Sequence, residues 1–231
     1  MPIKPPYPPD IATYDNPQAN GQSLRINEIF FSIQGEARTC GYPTVFVRLS
    51  GCPLRCQYCD TQYAFHQGNL MLCEDIVATV LSYPADYVCV TGGEPLAQAG
   101  CIDLLQQLGP HRQVSLETSG ALSIAKVPTY ISRIVDIKTP GSGEVHRNQL
   151  DNLAHLTAHD QLKFVICDAE DYQWTKRFLA RHGPLPCECL ISPSARQVSA
   201  MTLAQWLLQD PIPVRLQIQL HKILFGDRPG V

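Results

Sequence analysis

Three cysteines, Cys52, Cys56 and Cys59, fall within eight residues of a segment that also carries Gly51 and Pro53. Spacings of three and then two intervening residues let one short loop fold back so that three sulfurs face one point, which reads as a metal site. Three ligands leave the set incomplete. Four-sulfur zinc sites usually come as two pairs, and a four-iron cluster normally takes four cysteines. A cluster held by only three thiolates leaves one iron open to bind and activate a small molecule, whereas a fully ligated one mainly carries electrons or holds structure. A zinc knuckle completed by Cys187, Cys189 or a histidine is the competing reading of the same residues.

Other chemically able residues recur directly after apolar segments. In Thr91-Gly92-Gly93-Glu94-Pro95 the two glycines let a backbone approach a ligand closely, and their carbonyls can accept from an ammonium. A dinucleotide phosphate loop is poorly supported there, because the full GxGxxG pattern is missing. Glu117-Thr118-Ser119-Gly120 sets a carboxylate and two hydroxyls after a further strand. Lys138 stands in the turn-rich run Asp136 to Gly143, and Ser192-Pro193-Ser194-Ala195 follows another strand. Each motif alone is an ordinary capped turn; as a set at successive strand ends they make a site. Upstream, the Gln34 amide suits the amide-like edge of a ring, and Arg48, inside an apolar strand just before the cysteine loop, suits a carboxylate.

The elements that position these residues alternate between two periodicities. Pro43 to Ser50, Tyr87 to Thr91, Gln113 to Glu117, Ser132 to Ile137, Leu162 to Cys167, Cys189 to Ser192 and Val214 to Gln219 read as strands. Helical faces appear from Leu72 through Leu81, across Ile102, Leu105 and Leu108 up to Gly109-Pro110, over Glu170 to Arg181, and over Met201 to Gln209. Such alternation predicts parallel strands covered by helices, as an open sheet or a barrel, with ligands at the carboxyl ends of the strands. Helical signals are weak between Glu117 and Leu162, which argues against a ring of eight strand-helix units.

With 231 residues and 45% hydrophobic content the chain can bury one substantial core, so a single domain is expected. Residues 1–24, rich in Pro, Asn, Gln and Asp, read as an extended or disordered lead-in to a domain over 25–231. No apolar run reaches the length of a membrane span, and the start lacks the apolar centre of a secretion signal. A soluble, cytoplasmic protein is the expectation. Net charge is -3 with no Lys/Arg block, which counts against nucleic acid as a partner. Seven further cysteines are scattered, several in apolar segments, and read as inert buried thiols.

The loop Cys52-x3-Cys56-x2-Cys59, with Tyr58 before its last cysteine, resembles the signature of radical S-adenosylmethionine (SAM) enzymes. Phe31-Ser32-Ile33-Gln34-Gly35-Glu36, Cys59-Asp60-Thr61, Thr91 to Pro95, Glu117 to Gly120 and Leu220-His221-Lys222 narrow the resemblance to the 7-carboxy-7-deazaguanine synthase family. The resemblance implies an α/β, single-domain partial (β/α)6 barrel of parallel strands with reduced helix content. It implies a 4Fe-4S cluster on the three thiolates, with SAM chelating the fourth iron. Tyr58, Asp60, Gly93, Glu94, Ser119, the loop Lys138, Thr139 and Pro140, and the loop Ser192 to Ala195 (Ser192, Pro193, Ser194, Ala195) would attend the cofactor. The first of those loops departs from the Ser-Pro-Lys of many members. Ile33, Gln34, Gly35, Arg48, Thr91, Glu117 and His221 would meet a pterin substrate. Thr61 would give an oxygen to Mg2+ by resemblance, although by residue type Asp60 is the stronger candidate, since hard cations prefer carboxylates. The implied reaction converts 6-carboxy-5,6,7,8-tetrahydropterin to 7-carboxy-7-deazaguanine, with flavodoxin or ferredoxin as electron donor and a homodimer as assembly. A glycyl-radical activating enzyme and a non-catalytic metal-binding module are the rival readings.

Overall fold

The computed structural model describes residues 23–195, 197–226, 228 and 230, and its organising element is one nine-stranded sheet. The strands are β1 (Ser23–Ile33), β2 (Pro43–Leu49), β3 (Asn69–Leu72), β4 (Tyr87–Gly92), β5 (Gln113–Thr118), β6 (Ser132–Ile137), β7 (Gln161–Ile166), β8 (Glu188–Pro193) and β9 (Arg215–Leu216). Their order across the sheet is β3-β1-β2-β4-β5-β6-β7-β8-β9. From β2 to β9 every neighbouring pair is parallel. β1 runs antiparallel to both β2 and β3. The result is a partial barrel, and it agrees with the parallel α/β expectation.

Residue type explains the layering. β2 and β4 are buried along nearly their whole length by Thr44 to Val47 and Val88 to Thr91, as strands covered on both faces must be. The outer layer consists of α1 (Cys73–Leu81), α2 (Cys101–Leu108), α3 (Ala169–His182) and α4 (Ala200–Gln209). The side chains of Asp168 and Ser199 accept from the backbone N–H three residues on and so start α3 and α4. Ile76, Val80, Leu104, Leu105 and Leu108 bury the apolar stripes of the first two helices against Val45, Val47, Val88 and Val90.

Between β5 and β7 the covering helices give way to short 3-10 turns at 140–142, 145–147 and 150–155, where the helical signal was weak. The base of that region is pinned by a buried ion pair. Asp160 accepts from Arg133 N and Nε at 2.9 Å and pairs with the other guanidinium nitrogen at 2.5 Å.

Two boundaries differ from expectation. Ser23 and Leu24 already belong to β1, where they pair with Leu72 and Met71; the rest of the expected lead-in lies outside the described residues. The strand expected over Val214–Gln219 is paired only at Arg215 and Leu216. Gln217 N still donates to Ile191 O at 2.8 Å, while the side chains of Gln217 and Gln219 bind the loop that follows β1. A last short helix, α5 (Leu220–Phe225), comes after them.

Candidate active site

The carboxyl ends of the parallel strands surround a cavity of about 830 Å³, near the upper end of the usual range for small-molecule sites. Cys52, Cys56 and Cys59 lie on its wall, in the loop that leaves β2. Neighbouring strand ends hold this loop by its backbone. Gly93 N donates to Leu49 O at 3.1 Å and Glu94 N to Gly51 O at 2.8 Å, while Gly51 N donates to Ala64 O at 2.8 Å. From the loop after β6, Ser142 O accepts from Gln57 N at 3.0 Å and the Glu144 carboxylate accepts from Arg55 N at 2.7 Å. The Arg55 side chain donates back to Cys52 O and Leu54 O and covers the Phe65 ring at 4.2 Å.

The donor set fits an iron-sulfur cluster. Cys52, Cys56 and Cys59 are in no disulfide, so the three thiols are available. Burial pushes Cys52 up to about 12 and Cys56 up to about 11, and raises Cys59 too. A bound cation must therefore supply the charge that makes them thiolates. Among the described residues no three His, Cys, Asp or Glu side chains gather closely enough to share one metal ion. The three cysteines line one cavity, and a multi-iron cluster, unlike a zinc ion with every sulfur about 2.3 Å away, does not need them to converge on a single atom.

Buried polar atoms mark where further ligand atoms belong. Gln34 Nε2, Tyr58 Oη, Asp136 Oδ1 and Ser192 Oγ are buried without a protein partner, and all four residues line the cavity. Buried polar groups are otherwise nearly always paired. Beside the thiols, Lys138 pairs with Asp136 Oδ2 at 3.1 Å and lies 5.9 Å from the Tyr58 ring centre. Burial works against the Lys138 charge, but Asp136 and the nearby thiols outweigh it and hold its pKa above the usual value.

Aromatic and ionic residues make the opposite wall. Phe30 and Phe46 stack across β1 and β2 at 4.9 Å. Arg48 Nε donates to Glu28 Oε1 at 2.7 Å, and Tyr63 Oη donates to the same oxygen at 2.9 Å. Thr91 donates to Glu117 Oε2 at 2.9 Å. The C-terminal segment closes this side. Leu220 N donates to Gly35 O at 3.0 Å, Ala37 N donates to Gln217 Oε1 at 2.6 Å, and Lys222 pairs with Asp60 at 2.7 Å. His221 is thereby set on the cavity wall against Gly35, where an added side chain would meet its backbone nitrogen at 2.8 Å. Burial lowers the His221 pKa below its usual 6.5, although Glu36 pulls the other way.

Most residues singled out from sequence come together here, including Ile33, Gly93, Ser119, Pro193, Ser194 and Ala195. Thr61 also lines the cavity and donates to Asp60 Oδ1 at 2.9 Å. Four do not present themselves in the same way. Glu94 is completely buried behind the wall, and its carboxylate accepts from Leu96 N, Thr118 Oγ1, and both the N–H and the hydroxyl of Ser119. Thr139, equally buried, gives its hydroxyl to Val165 O and Asp171 Oδ2. Pro140 opens the following 3-10 turn, and Gly35 offers backbone packed under His221. These four shape the wall from behind.

Glu36, Lys163 and Asp136 line the cavity and were not among the residues drawn from sequence. For Lys163 the signal existed: like Arg48, it is a cation inside an apolar strand. Asp136 ends its strand two residues before Lys138, and Glu36 directly follows the Gln34-Gly35 pair.

A partial parallel barrel whose first strand end launches three thiols into a strand-end cavity defines a radical SAM enzyme. The family model described as "Radical SAM superfamily" matches residues 46–137. Among curated relatives, 7-carboxy-7-deazaguanine synthase of Chlorobaculum tepidum is 42% identical over 90% of this chain and 97% of its own length. The protein of the same name from Koribacter versatilis is 38% identical over 87% and 97%. The chain belongs to the 7-carboxy-7-deazaguanine synthase family. The crystal structure of QueE from Escherichia coli shares the fold, with a TM-score of 0.66 over 86% of this chain and 95% of that one, at 23% identity. Among the described residues no helix is long and apolar enough to cross a membrane.

Proposed function

We propose that the protein converts 6-carboxy-5,6,7,8-tetrahydropterin to 7-carboxy-7-deazaguanine, with loss of ammonia, in 7-deazapurine biosynthesis. Cys52, Cys56 and Cys59 would hold the 4Fe-4S cluster, and the residues at the ends of β4, β5, β6 and β8 that line the cavity would hold SAM. When bound, cluster and SAM together supply a 5'-deoxyadenosyl radical able to take a hydrogen from the substrate. The chain's own residues position the partners and exclude water. Gly93 brings backbone close to the cofactor, Lys138 and Asp136 offer a cation and an acceptor, and the free Ser192 hydroxyl offers a further donor.

For the substrate, Arg48 meets the carboxylate and Gln34 the ring edge. Thr91 and Glu117 form a second polar pair on the same wall. His221, whose pKa burial lowers, offers the substrate a further polar partner on the cavity wall. Thr61 would supply an oxygen to Mg2+, which would contribute charge stabilisation there. The assembly is a homodimer served by a flavodoxin or ferredoxin.

One observation carries this reading: three cluster thiols and a set of unpartnered buried polar groups share a single cavity whose open side is closed by the chain's own C-terminal segment. An activating enzyme for a partner protein needs a broad peptide groove, and the latches at Gly35, Ala37 and Asp60 narrow that side.

The test is an anaerobic assay of cluster-reconstituted protein with SAM, Mg2+, reductant and 6-carboxy-5,6,7,8-tetrahydropterin, followed by mass. Formation of 7-carboxy-7-deazaguanine without matching loss of SAM is expected, with Cys56→Ala inactive. Cleavage of SAM to 5'-deoxyadenosine without that product would move the substrate to the activating-enzyme reading.

A further inference from the structure

Lys163 is a cation built into the cavity wall that neither the cluster loop nor the Arg48 side of the site explains. It points inward from the middle of β7, with its side chain 14% exposed, and forms an ion pair with Glu36. Glu36 is itself committed: Gln219 donates to Oε1 at 2.7 Å, and Gln217 approaches Oε2 at 3.4 Å alongside the lysine. An ammonium has three donors. Glu36 is its one hydrogen-bond partner among the described residues, so two N–H groups remain for something in the cavity. Immediately beyond Glu36 stands Gln34, whose Oε1 accepts from Glu36 N at 3.1 Å and whose Nε2 is buried without a partner. Lys163 Nζ and Gln34 Nε2 therefore offer free donors around Glu36, whose own carboxylate is already occupied, while Asp136 and Glu117 act on Lys163 from neighbouring strands.

The charge is secure. Burial works against the ammonium, but Glu36, Asp136 and Glu117 outweigh it and hold the Lys163 pKa above the usual 10.5. A group that stays protonated throughout the working pH range is a fixed donor. Such a corner rewards a carbonyl oxygen and penalises an amino group in the same place, since a second donor would leave buried N–H groups unpaired.

We infer that Lys163, held by Glu36 and aided by Gln34, receives the ring carbonyl of the substrate and so selects an oxo-pterin over its 4-amino counterpart. This rests on the pterin reading of the site and adds the residue that reads the 4-position.

The experiment measures equilibrium binding of 6-carboxypterin and of 2,4-diaminopteridine-6-carboxylate to cluster-reconstituted protein with SAM and Mg2+, by quenching of pterin fluorescence. Wild type should favour the oxo compound by roughly tenfold to a hundredfold, the range of one charge-assisted hydrogen bond. Lys163→Met should lose most of its affinity for the oxo compound and little for the amino one, so that the preference collapses. If lone removal of the lysine prevents folding because Glu36 is left unpaired, Lys163→Met combined with Glu36→Gln keeps the pair neutral and reads the same ratio. Equal binding of the two pterins to wild type, or a preference that survives in a variant still binding SAM normally, overturns the assignment alone. Binding of neither pterin by a wild-type protein that does bind SAM overturns the pterin reading with it.

Discussion

Gly93→Ala tests whether the turn after β4 sets the position of the cluster loop. A methyl group on Gly93 would lie 2.7 Å from the Gly51 carbonyl carbon and 2.8 Å from Cys52 Cβ, and nearer still to Gly51 O. Ordinary contact starts at 3.4 Å, so turn and loop must separate by at least about 0.6 Å at the Cys52 contact alone. The two nearest atoms in the way are backbone, and the loop is bonded to the same turn through Glu94 N–Gly51 O at 2.8 Å and Gly93 N–Leu49 O at 3.1 Å. Overpacking of this kind costs about 1–3 kcal/mol, which for a chain of this size lowers Tm by roughly 2–12 °C. The displaced residue is the proposed cluster ligand Cys52, so iron retention should fall along with stability. Both can be measured: thermal unfolding of the apo protein by circular dichroism, and iron and sulfide per chain after anaerobic reconstitution. Gly41→Ala is the control, because Gly41 has φ +93 with nothing within 4 Å and any loss there is strain far from the thiols. A Gly93→Ala protein with wild-type Tm and a full complement of iron would refute the reasoning.

Arg133→Met should cost about 3–5 kcal/mol in urea unfolding, because it leaves the Asp160 carboxylate buried without its cation. Burial opposes ionisation of Asp160, but hydrogen bonds from Arg133 and Thr157 win and hold its pKa below the usual 3.8. A depressed carboxyl contributes stability that is complete above the unfolded-state value and is lost as pH falls through the folded one. Below about pH 4 wild type should therefore lose stability more steeply than Asp160→Asn, whose curve lacks that contribution. Lys222→Ala removes the exposed pair with Asp60 and should change global stability by less than about 1 kcal/mol. Its effect should show instead as faster amide hydrogen exchange across residues 217–226, and unchanged exchange there would refute a latch. Glu94→Gln places an amide donor among groups that already donate, namely Ser119 N and Leu96 N. A loss of about 1–3 kcal/mol is expected by thermal or urea unfolding.

What the sequence made legible, and what it did not, follows from the range of the forces involved. Strands β2, β4 and β8 were readable as nearly continuous apolar runs, β5 to β7 as shorter apolar stretches interrupted by polar residues, and helices α1 to α4 because one face repeats at helical spacing. The cysteine loop was readable because its three thiols come from eight consecutive residues. The antiparallel edge was hidden: β3 is four residues long and mostly exposed, and its pairing with β1 is set by contacts more than forty residues apart. Within the site, local motifs identified which segments meet but not which side of each segment faces the ligand. Glu94 and Ser119 each stand in a strand-end motif, yet the structure turns the first inward to bind the second, and Ser119 alone reaches the cavity. The same limit concealed Lys163, because a lone lysine in an apolar strand gains its meaning only when Glu36, 127 positions away, is folded against it. A buried charge in a parallel strand needs a partner from elsewhere in the chain. Arg48 and Lys163 are both such residues on strands that line the cavity, and their partners, Glu28 and Glu36, both come from β1 and the loop just after it. The antiparallel strand and the loop after it therefore have a chemical part in the parallel site: they supply the carboxylates that let two cations stand largely buried on the cavity wall.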